Sequence, residues 1–130
     1  MERGALWDVG PHALSLAIPL LGEVTDVCPV RGPGDTVHLV MSHASGAAST
    51  VSLSLTVPPA AASVDLAVYG RPGWRTMPAA AEPKVYSLRA AIRSLVDEVE
   101  RGAPNSPCDV RFGRDVVAVL AAAQSRLRHP

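Results

Sequence analysis

The sequence predicts a single domain of class α+β, and three observations support this prediction. The chain has 130 residues, 48% of them hydrophobic and 18% charged, which is enough to bury one core. Apolar residues recur with a helical period at the start and in the last third, and with period two in between. The order helix, strands, helices is typical of a sheet with helices on one face. We therefore expect an antiparallel sheet of about five strands with helices packed on one face and the other face open.

The first helix is predicted from about Leu6 to Leu21, with Gly22 as its C-terminal stop. Pro11 lies inside this run and lacks a backbone donor, so we expect either an irregular first turn or a regular helix that starts near Pro11. Helical spacing predicts a buried face that consists of Leu14, Ala17, Ile18 and Leu21.

Alternating segments separated by Gly- and Pro-rich turns predict the strands. They are Glu23–Val30, Thr36–Ser42, Thr50–Val57, Ser63–Tyr69 and a short strand near Trp74–Met77. The clearest alternation is in Thr50–Val57, whose expected inward residues are Val51, Leu53, Leu55 and Val57. In Ser63–Tyr69 the expected inward residues are Val64, Leu66 and Val68. The opposite face is rich in Ser and Thr, so it is either solvated or in contact with another subunit.

Two further helices follow an Ala/Pro linker at Pro78–Pro83. The first, Val85–Arg101, ends at Gly102 and has an apolar stripe at three- and four-residue steps: Val85, Leu88, Ile92, Leu95 and Val99. Asp109 is expected to cap the last helix. The stripe expected to be buried there consists of Phe112, Val116, Leu120, Ala123 and Leu127.

Charge and cysteine content exclude several classes of protein. The formal net charge is zero and no Lys/Arg cluster occurs, which argues against a nucleic-acid or membrane-surface partner. Cys28 and Cys108 are too few for a disulfide framework, so we expect reduced, buried thiols in a cytoplasmic protein. His38 and His43 have no third ligand nearby in the sequence, which favours surface or hairpin roles over metal binding.

The candidate catalytic residues are Asp8 and His12, which stand out in an otherwise small and apolar run. On a helix, a four-residue spacing places the two side chains on one face. A carboxylate beside an imidazole can fix its tautomer and raise its pKa, as general acid/base chemistry requires. The alternative is structural, with His12 as a satisfied core or helix-start residue and Asp8 as an N-terminal cap.

Four segments, in order along the chain, resemble the glucose–fructose oxidoreductase, inositol dehydrogenase and rhizopine-catabolism (Gfo/Idh/MocA) family. The segment Gly4–His12 (GALWDVGPH) resembles its G-x-L-x-D-x-G-x-H motif, and Asp35–Val57 is similar to its central hairpin. The segment Val68–Gly73 (VYGRPG) resembles its Y-G-x-x-G turn, and Leu120–Ser125 (LAAAQS) resembles the A-A-x-x-S end of its last helix.

The resemblance implies that residues 1–130 form the substrate-binding and dimerisation domain of a dehydrogenase acting on a sugar, polyol or similar hydroxylated molecule. Asp8 and His12 match the family's proton-transfer pair, and Trp7 and Ser15 are the expected substrate-binding residues. A buried core position is the alternative for Trp7. The expected partners are a small-molecule substrate and a second copy of the chain bound through the open sheet face.

The chain departs from the family in three respects. It has no G-x-G-x-x-G fingerprint and no E-K-P segment with a catalytic lysine, and relative to the family the domain is incomplete at its front edge. We therefore expect no cofactor bound by this chain alone, and NAD or NADP if it pairs with a separate Rossmann-domain chain. Two other functions stay open: cofactor-free acid/base chemistry at His12, as in an isomerase, lyase or cyclase, and a non-catalytic dimerisation module.

Overall fold

The computed structural model describes residues 4–77, 84–102 and 107–128. Its helices are α1 (Ala5–Asp8), α2 (Gly10–Leu21), α3 (Lys84–Glu100) and α4 (Val110–Arg128). Its strands are β1 (Val24–Arg31), β2 (Val37–His43), β3 (Ala48–Leu53), β4 (Ala67–Gly70) and β5 (Gly73–Thr76). The chain divides into two compact units, which we call the first unit (Met1–Pro58 with Cys108–Pro130) and the second unit (Pro59–Pro107). The predicted linker Pro78–Pro83 lies outside the described residues.

The α+β class is confirmed, but the prediction of one sheet of about five strands is not. In the first unit, β1, β2 and β3 form an antiparallel sheet in that order, and in the second unit β4 pairs with β5. The predicted strand Ser63–Tyr69 shrinks to the four residues of β4, after a 3₁₀ turn at Pro59–Ala61. Val64, expected to point inward, is 85% exposed, because it precedes the paired segment.

The end of β3 is set by Asp35, whose carboxylate binds the segment that follows the strand. Its Oδ1 accepts hydrogen bonds from the hydroxyls of Ser54 (2.7 Å) and Thr56 (2.6 Å), and its Oδ2 accepts one from the Leu55 N–H (2.9 Å). These bonds lower the pKa of Asp35 to about 2, with the Thr56 hydroxyl as the largest cause. The prediction that the strand continues to Val57 is therefore wrong, and Leu55 and Val57 are exposed.

The core of the first unit lies between the sheet and helices α1, α2 and α4. Alternation along β2 directs Val37, Leu39 and Met41 toward the helices. The predicted faces of α2 and α4 are confirmed as the ones that pack here, with Leu14 and Leu120 fully buried. The helix partners in this core include Leu6, Leu14, Val116, Val119, Leu120 and Ala123.

Helix α2 approaches α4 closely at Gly10, which is buried. A Cβ on Gly10 would lie 2.8 Å from Cδ2 of Leu120, so only glycine fits without displacing that side chain. The regular helix begins at this glycine, with Pro11 in its first turn, as predicted. It ends at Gly22, whose φ of 92° lies in the left-handed region that favours glycine.

Helix α4 begins as predicted at Asp109, whose Oδ1 accepts hydrogen bonds from the N–H groups of Arg111 (2.8 Å) and Phe112 (2.9 Å).

Helix α3 also forms at its predicted position, but the described residues of its apolar stripe are exposed, Leu88 to 63% and Val99 to 72%. Within the parts of the chain that the structure describes, no helix is long and apolar enough to cross a bilayer.

The burial predicted for the two cysteines is wrong. Cys28 and Cys108 are exposed, not buried. Cys28 lies opposite Val40 on the outer face of the sheet, because its neighbour Val27 points into the core. Tyr69 and Trp74, cross-strand neighbours on the β4–β5 hairpin, are 79% and 60% exposed.

Candidate functional site

The candidate catalytic pair lies where α1 passes into α2. Asp8 is the last residue of α1, and His12 is in the first turn of α2. Val9 joins the two helices and keeps a near-helical backbone, with φ −101° and ψ −17°. The Val9 N–H donates to the Ala5 carbonyl, and the Ala13 N–H donates to the Val9 carbonyl, so helical hydrogen bonding continues across the junction. The four-residue spacing therefore keeps Asp8 and His12 one helical turn apart, and both are exposed.

Of the structural alternatives for this pair, Asp8 as a cap and His12 as a core residue do not hold, whereas His12 does lie at a helix start, in the first turn of α2. Gly4 and Val9 occupy the N-cap positions of α1 and α2, and neither helix has a side-chain cap, so Asp8 is not a cap. His12 is not a core residue, because it is exposed. Among the described residues, neither side chain has a hydrogen bond or an ion pair, so the Asp8 carboxylate and the His12 imidazole both face solvent.

The two predicted substrate-binding residues flank the pair. Trp7 is 37% exposed, and its Nε1 donates to Oε1 of Gln124 in α4 over 3.3 Å, which ties α1 to the last helix. Trp7 therefore lies at the margin of the core. It is neither fully buried, as the structural alternative requires, nor fully exposed on a substrate-binding surface. The Ser15 hydroxyl donates to the His12 carbonyl over 2.7 Å, so its oxygen remains able to accept a further hydrogen bond.

The pair belongs to a longer exposed strip of the helical segment that sequence reasoning missed. Asp8, His12, Leu16 and Leu20 follow one another at four-residue steps, and we call them the α2 strip. Leu16 is 39% exposed and Leu20 is 57% exposed, so the strip is polar at one end and apolar at the other. The signal was present in the sequence, because the spacing that joins Asp8 to His12 continues to both leucines.

A groove of about 300 Å³ lies in the first unit between β1 and α4, away from the pair. Its lining includes Glu23, Asp26, Asp115 and Arg126, together with Ile18 from the distal half of α2. None of the four predicted site residues lines it. Ile18 is six residues beyond His12, which is about 9 Å along a helix axis. The predicted site is thus an open helical surface and not the wall of this groove.

The other histidines of the described chain have structural contacts. His43 is 4% exposed; its Nδ1 lies 2.8 Å from the Gly22 carbonyl and its Nε2 lies 2.8 Å from the Ser49 hydroxyl. A carbonyl can only accept, so Nδ1 donates to the Gly22 carbonyl, and Nε2 makes the second hydrogen bond with the Ser49 hydroxyl. His38 is exposed on β2 and contacts the Ser52 hydroxyl through Nδ1 (2.9 Å). Within the described residues, no group of three His, Cys, Asp or Glu side chains could hold a metal ion.

No protein-family model, curated protein or solved structure matches this chain. The resemblance to the Gfo/Idh/MocA family therefore rests on the four sequence segments alone.

Proposed function

We propose that this chain is the substrate-binding and proton-transfer part of an NAD(P)-dependent oxidoreductase that acts on a sugar, polyol or similar hydroxylated molecule. One observation carries the proposal: Asp8 and His12 lie one helical turn apart on an exposed helical surface that continues into exposed Leu16 and Leu20. Exposed apolar residues next to unpaired polar ones are typical of a surface that another domain covers.

The chemistry assigned to this surface is proton transfer at a substrate hydroxyl. The neutral imidazole of His12 accepts the hydroxyl proton as general base, and the Asp8 carboxylate stabilises the imidazolium that forms. Trp7 offers an apolar ring edge beside the pair, and Ser15 offers a hydroxyl oxygen that can accept a hydrogen bond from the substrate.

The residues of this chain do not fit a dinucleotide. The sequence has no G-x-G-x-x-G segment, and no described glycine turn leads from a strand into an α-helix, where a pyrophosphate would bind. We therefore assign NAD or NADP to another domain or chain that docks on the α2 strip, and we assign only the proton-transfer residues to this one.

A homodimer through the outer sheet face is also part of the proposal. That face carries exposed Val30 (55%) and Val40 (51%) beside Cys28, His38 and Thr50, with no lysine. The same observation supports a second candidate function, a non-catalytic dimerisation module. Cofactor-free catalysis at His12 is less well supported, because His12 is exposed and does not line the groove between β1 and α4. The proposed compartment is the cytoplasm, since two isolated cysteines are not the disulfide framework of a small secreted domain.

The test is to express the chain together with the product of the reading frame encoded directly upstream and to measure reduction of NAD and NADP with a panel of hexoses and polyols. We expect no turnover by this chain alone and turnover by the pair. In the pair, His12→Ala is expected to lower kcat/KM by about 10²–10⁴-fold. Asp8→Asn is expected to give a smaller loss, because it removes the carboxylate charge that stabilises the imidazolium.

His38→Ala is the matched control, because His38 is also an exposed histidine; since it lies on the outer sheet face opposite Val30, sedimentation is used to compare kcat/KM between proteins of equal oligomeric state. His38→Ala should leave kcat/KM unchanged. Equal effects of His12→Ala and His38→Ala, or full turnover by this chain alone, would contradict the proposal. A dimer without dehydrogenase activity in any combination would favour the assembly module.

A further inference from the structure

Strand β1 forms one edge of the three-stranded sheet. The Gly32 N–H donates to the Thr36 carbonyl over 2.9 Å, which fixes the alternation of backbone groups along the β1–β2 ladder. With that alternation, the backbone groups of even-numbered residues near the hairpin face β2, and those of Val27 and Pro29 face the free edge. An edge with unsatisfied backbone groups is a template for pairing with another chain.

Arg126 reaches this edge from α4. Its Nη1 donates to the Val27 carbonyl, and its Nη2 lies 2.7 Å from Oδ1 of Asp26. One planar guanidinium thus binds two adjacent acceptors on the strand, a geometry that lysine cannot reproduce. The carbonyl that an incoming strand needs as an acceptor at Val27 is occupied by a side chain of the same molecule.

Pro29 is the next residue of β1 whose backbone faces the free edge, and it lacks a hydrogen-bond donor. Pro29 has no backbone N–H, and proline in sheets is characteristic of edge strands for that reason. Beside Glu23–Val27, the groove between β1 and α4 carries the side chains of Asp26, Asp115 and Arg126. A strand that entered this groove would have to displace or desolvate those charges.

We propose that Arg126, together with Pro29, blocks the free edge of β1 against pairing with a second copy of this chain. The contact is separate from the proposed dimer, which uses the outer face of the sheet and not its edge. It also stands independently of the oxidoreductase proposal, because it involves none of Trp7, Asp8, His12 or Ser15.

The test compares four purified proteins by sedimentation over the micromolar range: the natural chain, Arg126→Met, Pro29→Val and the double variant. Methionine keeps a long apolar side chain but has no hydrogen-bond donor, and valine restores the backbone N–H at position 29. We expect the double variant to self-associate about tenfold more tightly than the natural chain, beyond any closed dimer, with each single variant in between. Thioflavin T binding should rise in the same order, because edge pairing extends the sheet.

Arg128→Met is the matched control, since it removes an exposed arginine from the same end of α4. Urea denaturation of each variant separates edge pairing from unfolding. If Arg126→Met does not fold, Arg126→Lys replaces it, and we expect an intermediate increase because lysine keeps the charge beside Asp26 without binding both acceptors. Unchanged masses for Pro29→Val and for the folded Arg126 variant, or an equal increase for Arg128→Met, would overturn the proposal.

Discussion

Helices α3 and α4 carry the same kind of apolar stripe but lie in opposite environments. In α4, Leu120 and Ala123 are fully buried, whereas Leu88 and Leu95 in α3 are 63% and 62% exposed. Helix α4 packs on β1 and α2 within the first unit. No described residue of the second unit, to which α3 belongs, is buried. The comparison shows that periodicity predicts a helix and its apolar face, while the buried state of that face depends on what else is available to cover it.

The largest expected effect that tests this comparison comes from truncating one leucine in each helix. Leu120→Ala removes a fully buried side chain and is expected to cost about 2–5 kcal/mol of unfolding free energy. Leu95→Ala is expected to cost less than about 0.5 kcal/mol, because the side chain is exposed and alanine favours the helix. Urea denaturation of both variants measures the difference. Equal losses would show that the α3 stripe is covered in solution.

The same contrast applies to two histidines of the first unit. His43→Ala leaves the Gly22 carbonyl and the Ser49 hydroxyl without their partner in a buried position, at an expected cost of about 1–3 kcal/mol. His12→Ala should change the unfolding free energy by less than about 0.5 kcal/mol, because His12 is exposed. Thermal and urea denaturation provide the measurement. A loss at His12 as large as at His43 would indicate a structural role and count against the proposed site.

A smaller effect is expected at the beginning of α4. Asp109→Ala removes the acceptor for two backbone N–H groups, at an expected cost of about 1 kcal/mol. Asp97→Ala in α3 is the control: its ion pair with Arg101 is 3.8 Å long and exposed, and it should contribute about 0.3–0.5 kcal/mol. The midpoints of urea denaturation should follow this order. An Asp109 effect no larger than that of Asp97 would contradict the capping role.

The smallest expected effect is the contribution of Asp35 to the pH dependence of the unfolding free energy. Its pKa is about 2 in the folded chain against an ordinary value of 3.8, so its stabilisation is complete above about pH 4 and is lost as the pH falls through 2. Asp35→Asn should therefore flatten the decline in unfolding free energy across this interval. High salt should not remove the contribution, because the partners of Asp35 are neutral.

Asp26 offers the contrast for that measurement. The hydrogen bond and charge of Arg126 lower the pKa of Asp26, and this pair is half-exposed. The contribution of Asp26 to the pH dependence of the unfolding free energy should therefore decrease as salt is added. Equal salt sensitivity in Asp35→Asn and Asp26→Asn would show that the Asp35 hydrogen bonds are not the source of the shift.

Sequence patterns predicted most elements of the first unit because each is specified locally. Pro11 and Gly22 bound α2, Asp109 caps α4, and the alternation in β2 matches its burial. The extent of β3 could not be predicted, because it is limited by Asp35, which lies 19 residues before Ser54. Whether β4 and β5 join the sheet of β1–β3 likewise depends on long-range strand pairing. Alternation of apolar and polar residues predicts a strand but not its partner.

The position of the candidate site was predictable from local spacing, and its surroundings were not. Asp8 and His12 follow from a four-residue step on one helical segment. The contacts that shape the rest of the first unit join distant residues, such as Trp7 with Gln124 and Arg126 with Val27. No local pattern relates side chains separated by about a hundred positions, so these contacts had no signal in the sequence.

The chain has two tryptophans, and each unit contains one: Trp7, bound to Gln124, in the first and Trp74, on the hairpin, in the second. Intrinsic fluorescence can therefore follow the two units separately without an added dye. Trp74→Phe leaves an emitter whose environment is set by α4, and Trp7→Phe leaves one whose environment is set by β4 and β5. Two single-tryptophan proteins thus distinguish one cooperative transition from two.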